Sequence, residues 1–178
     1  LDDDGDDDIV LGLRAGGIWL QQNQGAALDA VALTDTAGVT TLALGDLDRD
    51  GDLDLVAAGS ETPVVLLNDG AAGFTAMTNS GLEAITAIHR DMSLGDVDGD
   101  GDLDLFATAD PFGQPEGTVL HSIWENDGTA HFTDRSSDLP PDTRTGLGWH
   151  TLLSDLDGDL DVDLFISNAD QADWGPNR

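Results

Sequence analysis

The chain has 178 residues, the size of one ordinary domain, and its 36 acids against 6 basic residues give a net charge of −30. That balance excludes a grip on nucleic-acid phosphates, which needs Lys and Arg, and excludes docking on anionic membranes. Zero Cys excludes disulfides, thiolate zinc sites and a Cys nucleophile, and no apolar run reaches the roughly 18 residues of a membrane-spanning helix.

In chain order, the sequence opens on an acidic segment, Asp2-Asp3-Asp4-Gly5-Asp6-Asp7-Asp8, followed by Ile9-Val10. No signal peptide is visible, and a start without Met reads as a processed or cut chain. Gln21-Gln22-Asn23-Gln24, with Leu28 behind it, reads as a degenerate turn. The next unit is clearer. A strand is predicted over 39–44, then an acidic loop with Asp46, Asp48, Asp50, Gly51, Asp52 and Asp54, then a strand over 53–58. A third strand over 64–67 leads into Asn68-Asp69-Gly70, a hairpin turn because Asn and Gly tolerate positive φ. A fourth strand covers 74–77. The third unit repeats the order. Met92–Leu94 is strand-like, the loop holds Asp96, Asp98, Asp100, Gly101, Asp102 and Asp104, and Leu105–Thr108 is an apolar run. After an insertion at 110–117 comes Asn126-Asp127-Gly128, then Phe132. The fourth unit follows a long connection over 134–145 that carries Arg135, Arg144, Pro140 and Pro141. It has Thr151–Leu153, a loop with Asp155, Asp157, Asp159, Leu160, Asp161 and Asp163, and the run Leu164–Ser167.

Carboxylates at alternate positions repel one another unless a cation lies among them. Calcium, which takes six to eight oxygens at flexible geometry, suits such a loop better than magnesium. The expected ligands are Asp2, Asp4, Asp6 and Asp8; Asp46, Asp48, Asp50, Asp52 and Asp54; Asp96, Asp98, Asp100, Asp102 and Asp104; and Asp155, Asp157, Asp159, Asp161 and Asp163. Within a loop, positions 1, 3, 5 and 9 offer carboxylates, position 6 is the turn Gly and position 7 offers its carbonyl. Solvated acid without metal is the bland alternative. An EF-hand starts with the same spacing but needs Glu at position 12 and flanking helices. Here position 12 is Ala57, Ala107 or Ile166, and the flanks read as strands. The loop is therefore expected to join two antiparallel strands. Loop position 3 recurs at Asp2, Asp48, Asp98 and Asp157, periods of 46, 50 and 59 residues. That is the length of a four-stranded β-propeller blade. The fold class is all-β, with repeats at about 1–45, 46–95, 96–154 and 155–178.

Gly95–Leu105, and Gly45–Leu55 with Asn68-Asp69-Gly70 and Phe74 behind it, resemble the FG-GAP and VCBS repeats of integrin-α-like β-propellers. The ending Leu164–Asn168 with Gly175–Arg178 is similar to the bacterial and cartilage-acidic-protein-like branch. The resemblance implies about four partial or complete blades of a seven-bladed ring. Calcium loops would brace one face, and ligands would meet the other, where 110–117 and 134–145 would lie. The chain departs from the integrin pattern in lacking its Phe-Gly and Gly-Ala-Pro signatures: Ala57-Ala58-Gly59 stands in place of the latter. Leu160 replaces the turn Gly of the fourth loop, and the first loop has no position 1.

No nucleophile elbow, phosphate loop or zinc motif is present. His89, His121, His131 and His150 are scattered, with His150 beside Trp149 the outlier, and structural roles are expected for them. Trp19, Trp124, Trp149 and Trp174 could stack on sugars but fit a blade core better. The expectation is thus a non-enzymatic, calcium-stabilised interaction or adhesion module, binding a protein or carbohydrate ligand and packed against the remaining blades of its propeller. It should bind no nucleic acid and enter no membrane. Its location should be extracellular, at the cell surface or periplasmic, where calcium is abundant. The alternative is the propeller portion of a secreted polysaccharide-active enzyme.

Overall fold

The computed structural model describes residues 1–25, 27–85, 89–109, 121–141 and 148–168. Within them the chain forms thirteen strands and two short 3-10 turns, Leu82–Ala84 and Ser136–Asp138. The strands build four antiparallel sheets. The first holds β1 (Ile9–Leu13), β2 (Gly17–Asn23) and β3 (Leu28–Thr34). The second holds β4 (Val39–Gly45), β5 (Asp54–Gly59), β6 (Val64–Asn68) and β7 (Phe74–Ala76). The third holds β8 (His89–Gly95), β9 (Asp104–Ala109), β10 (His121–Asn126) and β11 (Phe132–Asp134), and the fourth pairs β12 (Gly148–Ser154) with β13 (Asp163–Asn168). Each sheet is a simple meander in which sequence neighbours pair. The four strands expected over 39–77 are β4 to β7, with bounds within one residue at nearly every end.

Alternation along β5 and β9 explains why the sheets stack. Both strands are buried along their whole length. On β5, Leu55 and Ala57 face the first sheet, packing with Ile18 and Val39. Val56 and Ala58 face the third, packing with Met92, Leu105, Ala107 and Trp124. On β9, Phe106 points the other way, toward Leu153 of the fourth sheet. Period-2 side-chain alternation thus gives every middle sheet two apolar faces, each covered by a neighbour. The first strands β4, β8 and β12 lie side by side across the stack. Close approach there needs small residues: a Cβ on Gly45 would come within 2.6 Å of Leu103 Cδ1.

The end sheets keep apolar residues in water. Ile9, Leu11 and Leu13 are exposed on β1, and the cross-strand partners Leu152 and Phe165 are exposed on β12 and β13. The insertion at 110–117, the stretch 142–145 of the long connection, Trp174 and the ending Gly175–Arg178 lie outside the described residues.

Candidate metal centres

Each acidic loop lies where expected, between the first two strands of a sheet: β4 to β5, β8 to β9 and β12 to β13, with the first loop leading directly into β1. All four loops use one hydrogen-bond scheme. The position 5 N–H donates to the position 3 carboxylate: Asp4 to Asp2, Asp50 to Asp48, Asp100 to Asp98 and Asp159 to Asp157. The position 7 N–H donates to position 5, at 2.9–3.0 Å throughout. These repeated Asx turns coil the loop and turn its carboxylates inward.

Position 6 donates back to position 1. Gly51 reaches Asp46 at 3.1 Å and Gly101 reaches Asp96 at 3.0 Å. Leu160 does the same to Asp155, at 3.0 Å. The residue therefore keeps the glycine's backbone shape, at φ 76° against 96° and 90° for Gly51 and Gly101, with its side chain 89% exposed. The substitution leaves the loop's geometry in place, although left-handed backbone is unfavourable for a side chain with a Cβ.

Carboxylate oxygens gather within 4.8 Å of one another in three loops: Asp46, Asp48 and Asp50; Asp96, Asp98 and Asp104; and Asp155, Asp157 and Asp163. Among the described residues the first loop, which has no position 1, forms no such group. The donor set fits a hard divalent cation. It is all oxygen, anionic and preformed, and Asp46 Oδ1 is buried with no hydrogen-bond partner among the described residues. Electrostatics agree. Desolvation, then the nearby charges of Asp50 and Asp46, push the Asp48 carboxyl above the usual range. Asp54 and Asp104 are also pushed up, chiefly by burial, against the pull of the N–H groups they accept. A cation among these oxygens would reverse that cost. Positions 1 and 3, joined by position 5 in the second loop and by position 9 in the third and fourth, would hold the cation, which would supply charge neutralisation rather than chemistry; Asp54, Asp100 and Asp159 lie outside these groups.

Position 9 has a second task. Its Oδ2 accepts the position 2 N–H: Leu47 to Asp54, Val97 to Asp104 and Leu156 to Asp163, at 2.8–3.0 Å, with the Leu1 amino nitrogen on Asp8 at 2.9 Å. Its Oδ1 accepts an N–H from the third strand: Asn23 to Asp8, Asn68 to Asp54 and Asn126 to Asp104, at 2.8–2.9 Å. Within the degenerate turn Gln21–Gln24, Asn23 is therefore the counterpart of Asn68 and Asn126, 15 residues after its position 9 where Asn68 follows by 14.

Position 7 is placed apart from the carboxylate groups. The Asp52 and Asp102 side chains turn to the hairpin glycines, where a Cβ on Gly70 or Gly128 would come within 2.6–2.7 Å of their oxygens. Asp6 and Asp161 likewise fall outside the groups.

Two contributions were not visible as motifs. The Asn of each Asn-Asp-Gly turn joins successive loops as well as shaping its hairpin. Asn126 Nδ2 donates to the Leu47 carbonyl of the preceding loop at 2.9 Å and lies 3.3 Å from the Leu103 carbonyl of its own. Asn68 Nδ2 does the same for Leu1 and Leu53. Arg49, at position 4 of the second loop, crosses to the third, where it pairs with Asp102 and donates to the Asp100 carbonyl at 2.8 Å. Burial still dominates at Asp102, whose carboxyl is pushed up despite the Arg49 charge.

The histidines and tryptophans take varied places. His121 stacks on Phe106, and His131 lies beside Thr129 at the surface. Trp124 is core, and the Trp19 indole N–H donates to the Gly16 carbonyl at 2.7 Å. Trp149 lies under the Arg90 guanidinium, 4.1 Å from its ring centre.

Comparison with curated proteins gives no match. Among solved structures, a lectin of Agrocybe aegerita, described as specifically recognising non-reducing terminal N-acetylglucosamine, is similar in fold with a TM-score of 0.55 at 19% identity. The match covers 89% of this chain and 42% of the lectin, so the chain spans about two fifths of that protein's length. The FG-GAP-like repeat profile matches residues 1–57 and 46–107, more than half of the sequence. With its acidic loop repeated between paired strands, the chain belongs to the FG-GAP-like repeat family.

Proposed function

We propose that the sheets are consecutive blades of a calcium-braced β-propeller, and that the molecule is a non-catalytic, extracellular binding module for a carbohydrate or protein ligand. The observation that carries this reading is the recurrence of one hydrogen-bond scheme in four loops, with carboxylate oxygens converging within 4.8 Å in three of them. Such oxygens repel one another unless a cation holds them. Three further features support it. The first strands neighbour one another, as the inner strands of a ring do. The exposed apolar residues of both end sheets suit cover by further blades. The fold similarity is to a sugar-binding protein. Location follows from affinity: loops of this kind in extracellular modules bind calcium at about 10⁻⁴–10⁻³ M, levels met outside the cytoplasm.

Thermal melts by far-UV circular dichroism, with calcium and with excess chelator, test the brace. Calcium at a hundred times its Kd adds about 2.7 kcal/mol per site that only the native state offers. The melting point should rise with calcium, and rise less in Asp98→Ala and Asp100→Ala. An identical melt in calcium and chelator would overturn the reading.

A further inference from the structure

At the ends of the first strands away from the acidic loops lies a cavity of about 370 Å³. Thr40 is the second residue of β4, six steps of extended chain, about 20 Å, from Asp46. Arg14, Thr40, Ser60, Arg90, Trp149 and His150 line the cavity, each from the start of a first strand or the end of a second. His89, 2% exposed, lines it too, and its Nδ1 is buried without a hydrogen-bond partner among the described residues.

The charge here runs against the rest of the molecule. The whole chain carries 36 acids and 6 Arg. Two of those six Arg meet at this cavity beside two His, and no described lining residue is acidic. Asp91, the next residue on β8, reaches the neighbouring strands: its Oδ1 accepts from the Thr41 hydroxyl at 3.4 Å, and its Oδ2 accepts the Thr151 N–H at 2.8 Å and lies 3.6 Å from Nδ1 of the lining His150. The Arg90 guanidinium carbon lies over the Trp149 ring, 4.1 Å from its centre, a cation–π contact that keeps the charge beside the aromatic wall. Burial keeps His89 neutral, so its ring adds a hydrogen-bonding group without charge. Thr40 Oγ1 donates to the His89 carbonyl at 2.6 Å and so positions that ring's strand.

We propose that this cavity binds one acidic sugar residue through its carboxylate, a uronic acid at the end or side of a glycan. Arginine forks recognise a planar carboxylate with two parallel hydrogen bonds. The Thr40 and Ser60 hydroxyls and the aromatic wall suit the hydroxyls and the apolar face of a sugar ring, and the volume is that of a small-ligand site. The assignment rests on the binding-module reading and narrows it to one pocket and one ligand class.

Isothermal titration of the full chain in calcium, with D-glucuronate, D-glucose and acetate as probes, tests it. D-glucuronate should bind with one site per chain, and glucose and acetate at least tenfold more weakly. Arg14→Glu, at an exposed turn, should weaken glucuronate at least tenfold, as should Arg90→Gln, since each removes charged hydrogen bonds. Glucuronate should also change the Trp149 fluorescence, a signal absent in Trp149→Phe. Equal binding of glucuronate and glucose, no glucuronate heat at millimolar concentration, or unchanged affinity in Arg14→Glu would each overturn the assignment. The two readings fail separately. Lost glucuronate binding with an intact calcium-dependent melt removes only the pocket's ligand, whereas a melt indifferent to calcium removes the brace.

Discussion

Asp104 separates the two tasks of an acidic loop, because one of them does not need calcium. It is 2% exposed, and its oxygens accept the Val97 and Asn126 N–H groups, both at 2.9 Å. Asp104→Ala leaves two donors unpaired, each worth about 1–3 kcal/mol when buried. The Val97 group is only partly buried, which favours the low end. Removing a desolvated carboxylate from beside Asp98 and Asp100 returns part of the loss, since burial already pushes the Asp104 carboxyl up. The net expectation is a destabilisation of about 2–4 kcal/mol in excess chelator, or roughly 4–16 °C in melting point for a chain of this size. Asp98→Ala is the control. It loses one exposed hydrogen bond of 3.2 Å and sheds like-charge repulsion, so in chelator its stability should move by less than about 0.5 kcal/mol. In calcium both variants should fall. Guanidinium unfolding of the three proteins, with and without calcium, gives all six values. If Asp104→Ala unfolds like the parent protein in chelator, its two hydrogen bonds carry no stability and the loop-closing role is wrong.

Three more outcomes follow from the same geometry. Leu160→Gly relieves a left-handed backbone worth about 1–2 kcal/mol and gives back about 0.5–1 kcal/mol in chain entropy; a slightly higher melting point is expected, and a lower one would show that the exposed side chain packs. His89, whose pKa burial lowers from 6.5 to about 4, contributes stability that is complete above pH 6.5 and is lost as pH falls toward 4, because only the unfolded chain takes up the proton in that window. The loss is about 3 kcal/mol, and His89→Gln should flatten that part of a stability-against-pH curve; an unchanged slope would count against a neutral buried ring. Gly59→Ala would put a Cβ 1.8 Å from the Gly38 carbonyl oxygen and 2.9 Å from the Thr40 nitrogen, both backbone atoms. It should destabilise by about 1–3 kcal/mol, read in the same unfolding assay, and a neutral result would mean that the junction of β4 and β5 yields easily.

The strands were legible because β5 and β9 pack on both faces and so read as near-continuous apolar runs, bounded by Asp54 and Gly59 in the one and by Asp104 and Asp110 in the other. The loops were legible because Asx turns demand Asp at alternate positions. Other features left weaker traces. The spacing of Asn23 to its loop differs from that of Asn68 by one residue, and only the shared bond to position 9 identifies it. The tie from Asn126 to Leu47 spans 79 residues, which no local pattern encodes. Arg49 is the one basic residue inside an acidic loop, and it answers a charge in the next one. The cavity of Arg14, His89, Arg90 and Trp149 draws its residues from three different sheets, so periodicity alone could not assemble it.

The Asn ties also set a timetable for synthesis. Asn68 follows the Leu1 carbonyl it holds by 67 residues, and Asn126 follows Leu47 by 79. A ribosome adding about 5–20 residues per second needs about 3–16 s to make such an interval. The first and second acidic loops therefore leave the exit tunnel well before the side chains that fasten them. Until Asn68 or Asn126 follows, the loop ahead of it is the loose one, and a stall in that interval would strand it in that state.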